Sequence, residues 1–219
     1  MKKESLKLQA YSHIKTKILN CEYAPNTFLN EDMLGEEINA SRTPIRDALS
    51  RLEQEGLIKI LPKKGIVVSG LTINEINNIY ETRILLECYA IKNYGAKISY
   101  EDYMVHYNNF KNVVETSNYE GDNIFEIDDS LHKQFINATE NHYFIQTYNY
   151  THSQNYRLRI LSGIRHESRI KDSSLEHLRI VEYCLKNDFN SASKEMEAHL
   201  VTAKNSAFEV ILKDPKWLI

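Results

Sequence analysis

Four side chains in the second half of this 219-residue chain have the spacing of metal ligands. Asp128 and His132 stand four residues apart in FEIDDSLHKQF, so on a helix they share one face. His177 and His199 lie eleven residues on either side of Asp188, which sits in a short break between two helical stretches. In an antiparallel helical hairpin, equal distances from the turn place two residues at one height. Three imidazoles and one carboxylate would then converge inside a bundle. Such a set suits a divalent transition metal of the zinc, nickel or manganese class, with positions left open for water or a ligand. A histidine taken singly is more often a surface or core residue, and His13, His106, His142, His152 and His166 are read that way.

A second set of residues, near the N-terminus, points to different chemistry. A helix predicted over about 43–55 buries Ile45, Ala48, Leu49 and Leu52 and ends at Gly56. Its opposite face carries Arg42, Arg46 and Ser50, with Thr43 at its start. Pro44 fits the first turn, with Ser41 or Thr43 as cap. Arginine near the start of a recognition helix can donate twice to a guanine edge in the major groove. Thr43 can bond a phosphate or a base. Lys63, Lys64 and the Gly65 backbone form the tip of a hairpin that can reach the sugar–phosphate rail. The same residues could equally serve as a solvated helix face and a charged turn.

The elements needed to position both sets can be read along the chain. A helix over about 5–20 turns Tyr11, Ile14 and Ile18 inward, and CEYAPNTFLN reads as a turn. A short helix over about 31–38 turns Met33, Leu34 and Ile38 inward. Two strands, Leu57–Leu61 and Ile66–Val68, flank PKKG. Three helices and a hairpin in about 70 residues make a winged helix-turn-helix. From Thr72 only helices are predicted. Thr72-Ile-Asn-Glu75 is a capping box opening a helix to about 96, and further helices fall at about 99–116, 123–138, 141–165, 173–187 and 190–212. The fold class is therefore mainly α: a winged helix-turn-helix in residues 1–70 and an all-α bundle in 71–219.

Composition narrows the function classes. Residues 1–70 hold 11 Lys and Arg against 9 Asp and Glu, while the rest hold 16 against 21, so a weakly basic head joins an acidic body. Cys21, Cys88 and Cys184 are far apart and odd in number, which argues against a disulfide framework and for a reducing, cytoplasmic setting. No apolar run reaches the roughly 18 residues of a membrane helix, and the N-terminus has no apolar signal core.

The string SRTPIRDALSRLEQEGLI resembles the signature of GntR-family regulators, and LNEDMLGEEINA and PKKGIVVSGLT follow the family's order. This resemblance implies that Arg42, Thr43 and Arg46 contact double-stranded operator DNA and that Gly65 lies at the wing tip. Cys21 and Asn26 stand where the family usually has glycines, and Asp32 stands where some members have a basic DNA-contacting residue. IYETRILLE, DDSLH and EHLRIVEYCLKNDFNSASKEMEAHL resemble the FCD domain, with Leu131 in place of an aromatic. That resemblance implies a metal site of Asp128, His132, His177 and His199, and a small organic acid as effector, with Arg83 helping to hold it. Arg83 could alternatively serve in an ion pair with Glu87, four residues on.

The function expected is that of a homodimeric transcription regulator, by family default a repressor, whose operator affinity follows the bound acid. A metal-dependent enzyme is the first alternative; against it, the sequence has no H-E-x-x-H and no evident general base beside the ligands. A DNA-binding protein with a purely structural metal is the second.

Overall fold

The computed structural model describes residues 5–116, 123–161 and 167–213. In the head, α1 (Leu6–Leu19), α2 (Glu31–Ile38) and α3 (Arg42–Gln54) surround one small core. The Ser5 and Asn30 side chains cap the first two helices, accepting from Leu8 N and Met33 N. Ser41 occupies the N-cap of α3 without a side-chain hydrogen bond, and Pro44 lies in the first turn, where a missing N–H costs nothing. Gly56 ends α3 at φ +67°, and Leu57 N then bonds back to Leu52 O at 3.0 Å, a left-handed helix end.

Three strands complete the head: β1 (Phe28–Leu29), β2 (Ile58–Leu61) and β3 (Gly65–Val68), in the antiparallel order β1-β3-β2. Leu61 pairs with Gly65 and Ile58 with Val68, which fixes the tip at Pro62–Lys64. Two expectations are corrected here. CEYAPNTFLN is not wholly a turn, because Phe28 and Leu29 pair with Val67 and Ile66 as a third strand; two residues are too short to show alternation. Met33 is not inward but 38% exposed, since on so short a helix Leu34 alone fills the core position. Cys21 (φ +58°) and Asn26 (φ +68°) both take the left-handed conformation that a glycine there would adopt freely.

The body is a bundle of α4 (Ile73–Tyr94), α5 (Tyr100–Thr116), α6 (Asn123–Ala138), α7 (His142–Leu161), α8 (Glu167–Leu185) and α9 (Phe189–Lys213), with a short 3-10 turn at Gly95–Lys97. The Thr72 hydroxyl accepts from Glu75 N at 3.0 Å and starts α4. That helix packs against α9, α7 and α6, while α5 packs against α8. A second core, from Leu71 to Ala207, is separate from that of the head. The helix expected over 173–187 begins six residues earlier, at Glu167, so HESRIKDS is in large part helical. Helix α7 ends at Leu161, and the expected continuation to 165 lies outside the described residues, as does His166. Among the described residues, no helix is long and apolar enough to cross a membrane.

Candidate functional site

The turn between α8 and α9 sets the height of two of the histidines. Asn187 takes φ +58°, Asp188 N bonds back to Tyr183 O at 2.9 Å, and the Asp188 side chain accepts from Ser191 N at 3.1 Å. One helix ends and the next starts within three residues, so α8 and α9 run back to back. His177 and His199 then face each other with ring centroids 4.3 Å apart. Helix α6 brings Asp128 and His132 from across the bundle. His177 Nε2 lies 3.1 Å from His132 Nε2 and 3.5 Å from Asp128 Oδ1, and His132 Nε2 lies 4.0 Å from Asp128 Oδ2.

One ligand atom from each of these four residues falls within 4.8 Å of the others. Donors held about 2.0–2.2 Å from one ion stand roughly 3–4 Å apart, so the set fits a single cation of the zinc class. The outer partners agree. His132 Nδ1 bonds the Glu87 carboxylate and His199 Nδ1 bonds Glu176 Oε2 at 2.7 Å, which turns both Nε2 atoms inward. His177 stacks on Phe110 at 4.7 Å between centroids. Burial, and then the nearby His199, push the His177 imidazole well down, toward the neutral form a metal requires. Burial would raise the Asp128 carboxyl, but the surrounding imidazoles and Arg159 hold it well below the usual range.

The four residues line a cavity of about 90 Å³. One water needs only about 10–15 Å³ by this measure, so the space admits several waters or a small ligand. Three arginines share the lining, each engaged by a carboxylate. Arg83 Nε bonds Glu87 at 2.6 Å, Arg159 bonds Asp128 at 2.8 Å and Asp129 at 2.6 Å, and Arg169 grips Glu176 at 3.0 and 3.1 Å. Arg83 thus lines the cavity while pairing with Glu87. Burial raises the Glu87 carboxyl, but Arg83 and His132 outweigh it and hold the group at about 2. A guanidinium so fixed is a preorganised donor for an anion.

In the head, Arg42, Thr43 and Arg46 lie exposed on the outer face of α3, and Lys63, Lys64 and Gly65 lie exposed at the hairpin tip. Lys63 (φ +62°) and Gly65 (φ +105°) make the tight turn. Both arginines are paired with α2: Arg42 with Asp32 at 3.0 Å and Arg46 with Glu31 at 2.8 Å. They converge beside the start of α2, which suits one groove-facing surface.

Helix α7 joins the two regions. Gln154 Nε2 donates to Gly56 O at 3.3 Å, and a Cβ placed on Gly56 would run into the Tyr150 hydroxyl. Arg157 is fully buried; it donates to the Ser69 carbonyl and, at 2.7 Å, to Gln154 Oε1. Two residues on, Arg159 meets Asp128. One helix therefore touches the end of the recognition helix, the linker and a candidate metal ligand.

The sequence reading missed Glu87 as a histidine partner, Glu176, Arg159, Arg169 and the α7 contacts. His152, by sequence an ordinary histidine, has its Nε2 2.8 Å from Asp129, which Arg159 also engages. The i, i+4 spacing of Arg83 and Glu87 was the one local signal available. His13 pairs with Glu37 at 2.9 Å and His106 with Gln134, and neither belongs to the group of four.

Comparison with known proteins places this architecture. A family model described as "Bacterial regulatory proteins, gntR family" matches residues 6–68, and one described as "FCD domain" matches 78–202. The chain is 25% identical over 210 residues to the HTH-type transcriptional repressor RspR of Escherichia coli K12, spanning 95% of this chain and 92% of that protein. A GntR regulator structure from Rhodococcus sp. RHA1 superposes with a TM-score of 0.77 at 13% identity, covering 93% of this chain and 97% of that one. The Zn2+-bound FCD domain of TM0439 matches with a TM-score of 0.55 at 23% identity, over 66% of this chain and 99% of that one. With a family model on each of its two regions, the chain belongs to the gntR family of bacterial regulatory proteins and carries an FCD domain: it is a transcriptional regulator, not an enzyme.

Proposed function

We propose that this regulator is a cytoplasmic repressor that binds operator DNA as a homodimer and releases or tightens it when a small carboxylate enters the cavity of the body. Residues 1–70 form the DNA-binding unit, with Arg42, Thr43 and Arg46 reading the major groove and Lys63, Lys64 and Gly65 at the flanking backbone. Residues 71–219 form the sensing and pairing unit. Asp128, His132, His177 and His199 would hold a divalent metal, and Arg83 would help to hold the acid. When bound, the ion supplies open coordination positions that attract an anion. The chain's own residues do the rest. Glu87 and Glu176 orient imidazoles, Phe110 walls one side, and Arg159 ties Asp128 to α7.

The observation that carries this reading is the convergence of four ligand atoms within 4.8 Å in a cavity that three arginines also line. A ligand there can alter Arg159, and α7 passes a shift to Gly56 and Ser69, biasing the placement of the head. The test is metal analysis and a thermal-shift screen of organic acids on the purified full chain and on His177→Ala. About one metal per chain and an acid-dependent shift are expected for the native protein, with both lost in the variant while non-specific DNA binding persists. Full metal content in His177→Ala would overturn the ligand assignment.

A further inference from the structure

The arginines of the cavity are engaged by protein carboxylates, but three of its neutral polar side chains make no hydrogen bond among the described residues. Asn155 of α7 is 3% exposed, and its Oδ1 is buried with no partner there. Tyr80 of α4 is also 3% exposed; its ring lies 5.9 Å from the Arg83 guanidinium, and its hydroxyl is not bonded. The Ser173 hydroxyl of α8 is the third, whereas its neighbour Ser174 donates to Ile170 O at 2.9 Å. Asn155 stands one helical turn before Arg159, which bonds Asp128 at 2.8 Å. The amide therefore shares a face of α7 with the group that holds a candidate metal ligand.

A buried acceptor left unmet costs about as much as a lost hydrogen bond, and protein interiors meet such atoms with water or a ligand. A half-turn of the amide plane exchanges Oδ1 and Nδ2, so either can face the cavity. An ionised carboxylate carries no donor and cannot satisfy the amide oxygen. A hydroxyl both donates and accepts, which suits an amide that shares the cavity with two free hydroxyls. An ammonium donates but accepts nothing, and it would place a second cation beside the metal.

We propose that the effector is a hydroxy acid, and that Asn155 selects it by accepting a hydrogen bond from a hydroxyl on its chain. This inference rests on the reading that a carboxylate binds at the metal centre. Asn155 is then a specificity-determining residue: it discriminates between an acid and the same acid without its hydroxyl, because the second leaves the amide oxygen unmet.

Calorimetric titration of the zinc-loaded full chain with matched acids tests it: propionate with lactate, succinate with malate, and hexanoate with gluconate. Zinc content is measured after each titration, because hydroxy acids chelate the metal. In at least one pair the hydroxy acid should bind at least about tenfold tighter. Alanine, in which an ammonium replaces the hydroxyl of lactate, should bind more weakly than lactate. In Asn155→Leu that retains zinc, the acid without a hydroxyl should bind within about threefold of its native affinity, and the preference should fall at least about fivefold. Asn155→Ala serves the same comparison if the leucine variant does not fold. A preference below tenfold in every pair would show that water alone serves Asn155, and would overturn the proposed class while leaving the carboxylate site standing. Tighter binding of alanine than of lactate would do the same. A preference unchanged in the Asn155 variants would place the hydroxyl on the metal instead and overturn the role of Asn155. Binding of none of these acids to a chain holding stoichiometric zinc would overturn both this inference and the carboxylate reading.

Discussion

The arginines of the head and those of the body have the same chemistry and opposite settings. Arg42 and Arg46 are 67% and 64% exposed at the side chain, and each pairs with one carboxylate of α2. Arg83 is buried and Arg159 largely so, and they pair with carboxylates that are themselves buried or nearly so. An exposed pair in water contributes little and exchanges readily for another anion. A buried pair cannot be opened without leaving a charge stranded in low dielectric. The first arrangement suits a surface that must trade its own carboxylates for phosphates and base edges. The second suits a cavity whose shape must stay fixed until a ligand arrives.

Four substitutions test this contrast. The largest effect on stability is expected for Arg83→Ala, which leaves the buried Glu87 carboxylate without its guanidinium and with His132 as its remaining partner. Chemical denaturation should show a loss of about 3–5 kcal/mol, and a loss under about 1 kcal/mol would mean that the pair is better hydrated than its burial implies. Arg46→Ala should leave the melting temperature within about 1 °C yet weaken specific operator binding roughly ten- to a hundredfold, with discrimination relaxed at one base pair. An unchanged footprint in a binding assay would contradict its role. Arg157→Met tests the joint between the regions. Basal operator affinity should stay within about threefold, while the effector-dependent change should fall from about tenfold to under about threefold; a full response would remove α7 from the route. The smallest effect belongs to Asp32→Asn. With Arg42 released toward the DNA, affinity should rise roughly two- to fivefold and the salt slope should steepen by about one. Unchanged salt dependence would show that Arg42 reaches DNA despite its partner.

Legibility in the sequence followed the range of the interaction. The buried face of α3, Ile45, Ala48, Leu49 and Leu52, follows from helical periodicity alone, and the facing of His177 and His199 follows from their distance to the Asp188 turn. Cys21 and Asn26, which stand where the family usually has glycines, prove to be left-handed positions. The rest depends on packing between distant segments. His132 meets Glu87 from 45 residues away, Asp128 meets Arg159 from 31, and Arg157 reaches Ser69 from 88. No periodicity encodes such pairs. Strand β1 was invisible for a related reason, because its two residues become a strand only by pairing with Val67 and Ile66.

On the proposed function, the metal cavity of the body sets the affinity of the head for DNA. The most direct test is equilibrium binding of the full chain to a duplex selected from a random library. The titration is run without metal, with zinc, and with zinc plus the organic acid that gives the largest thermal shift, for the native protein and for His177→Ala. An at least fivefold change in Kd between the last two conditions, absent in His177→Ala, is predicted. One and the same Kd in all conditions for the native chain, with zinc and the acid shown to be bound, would contradict it.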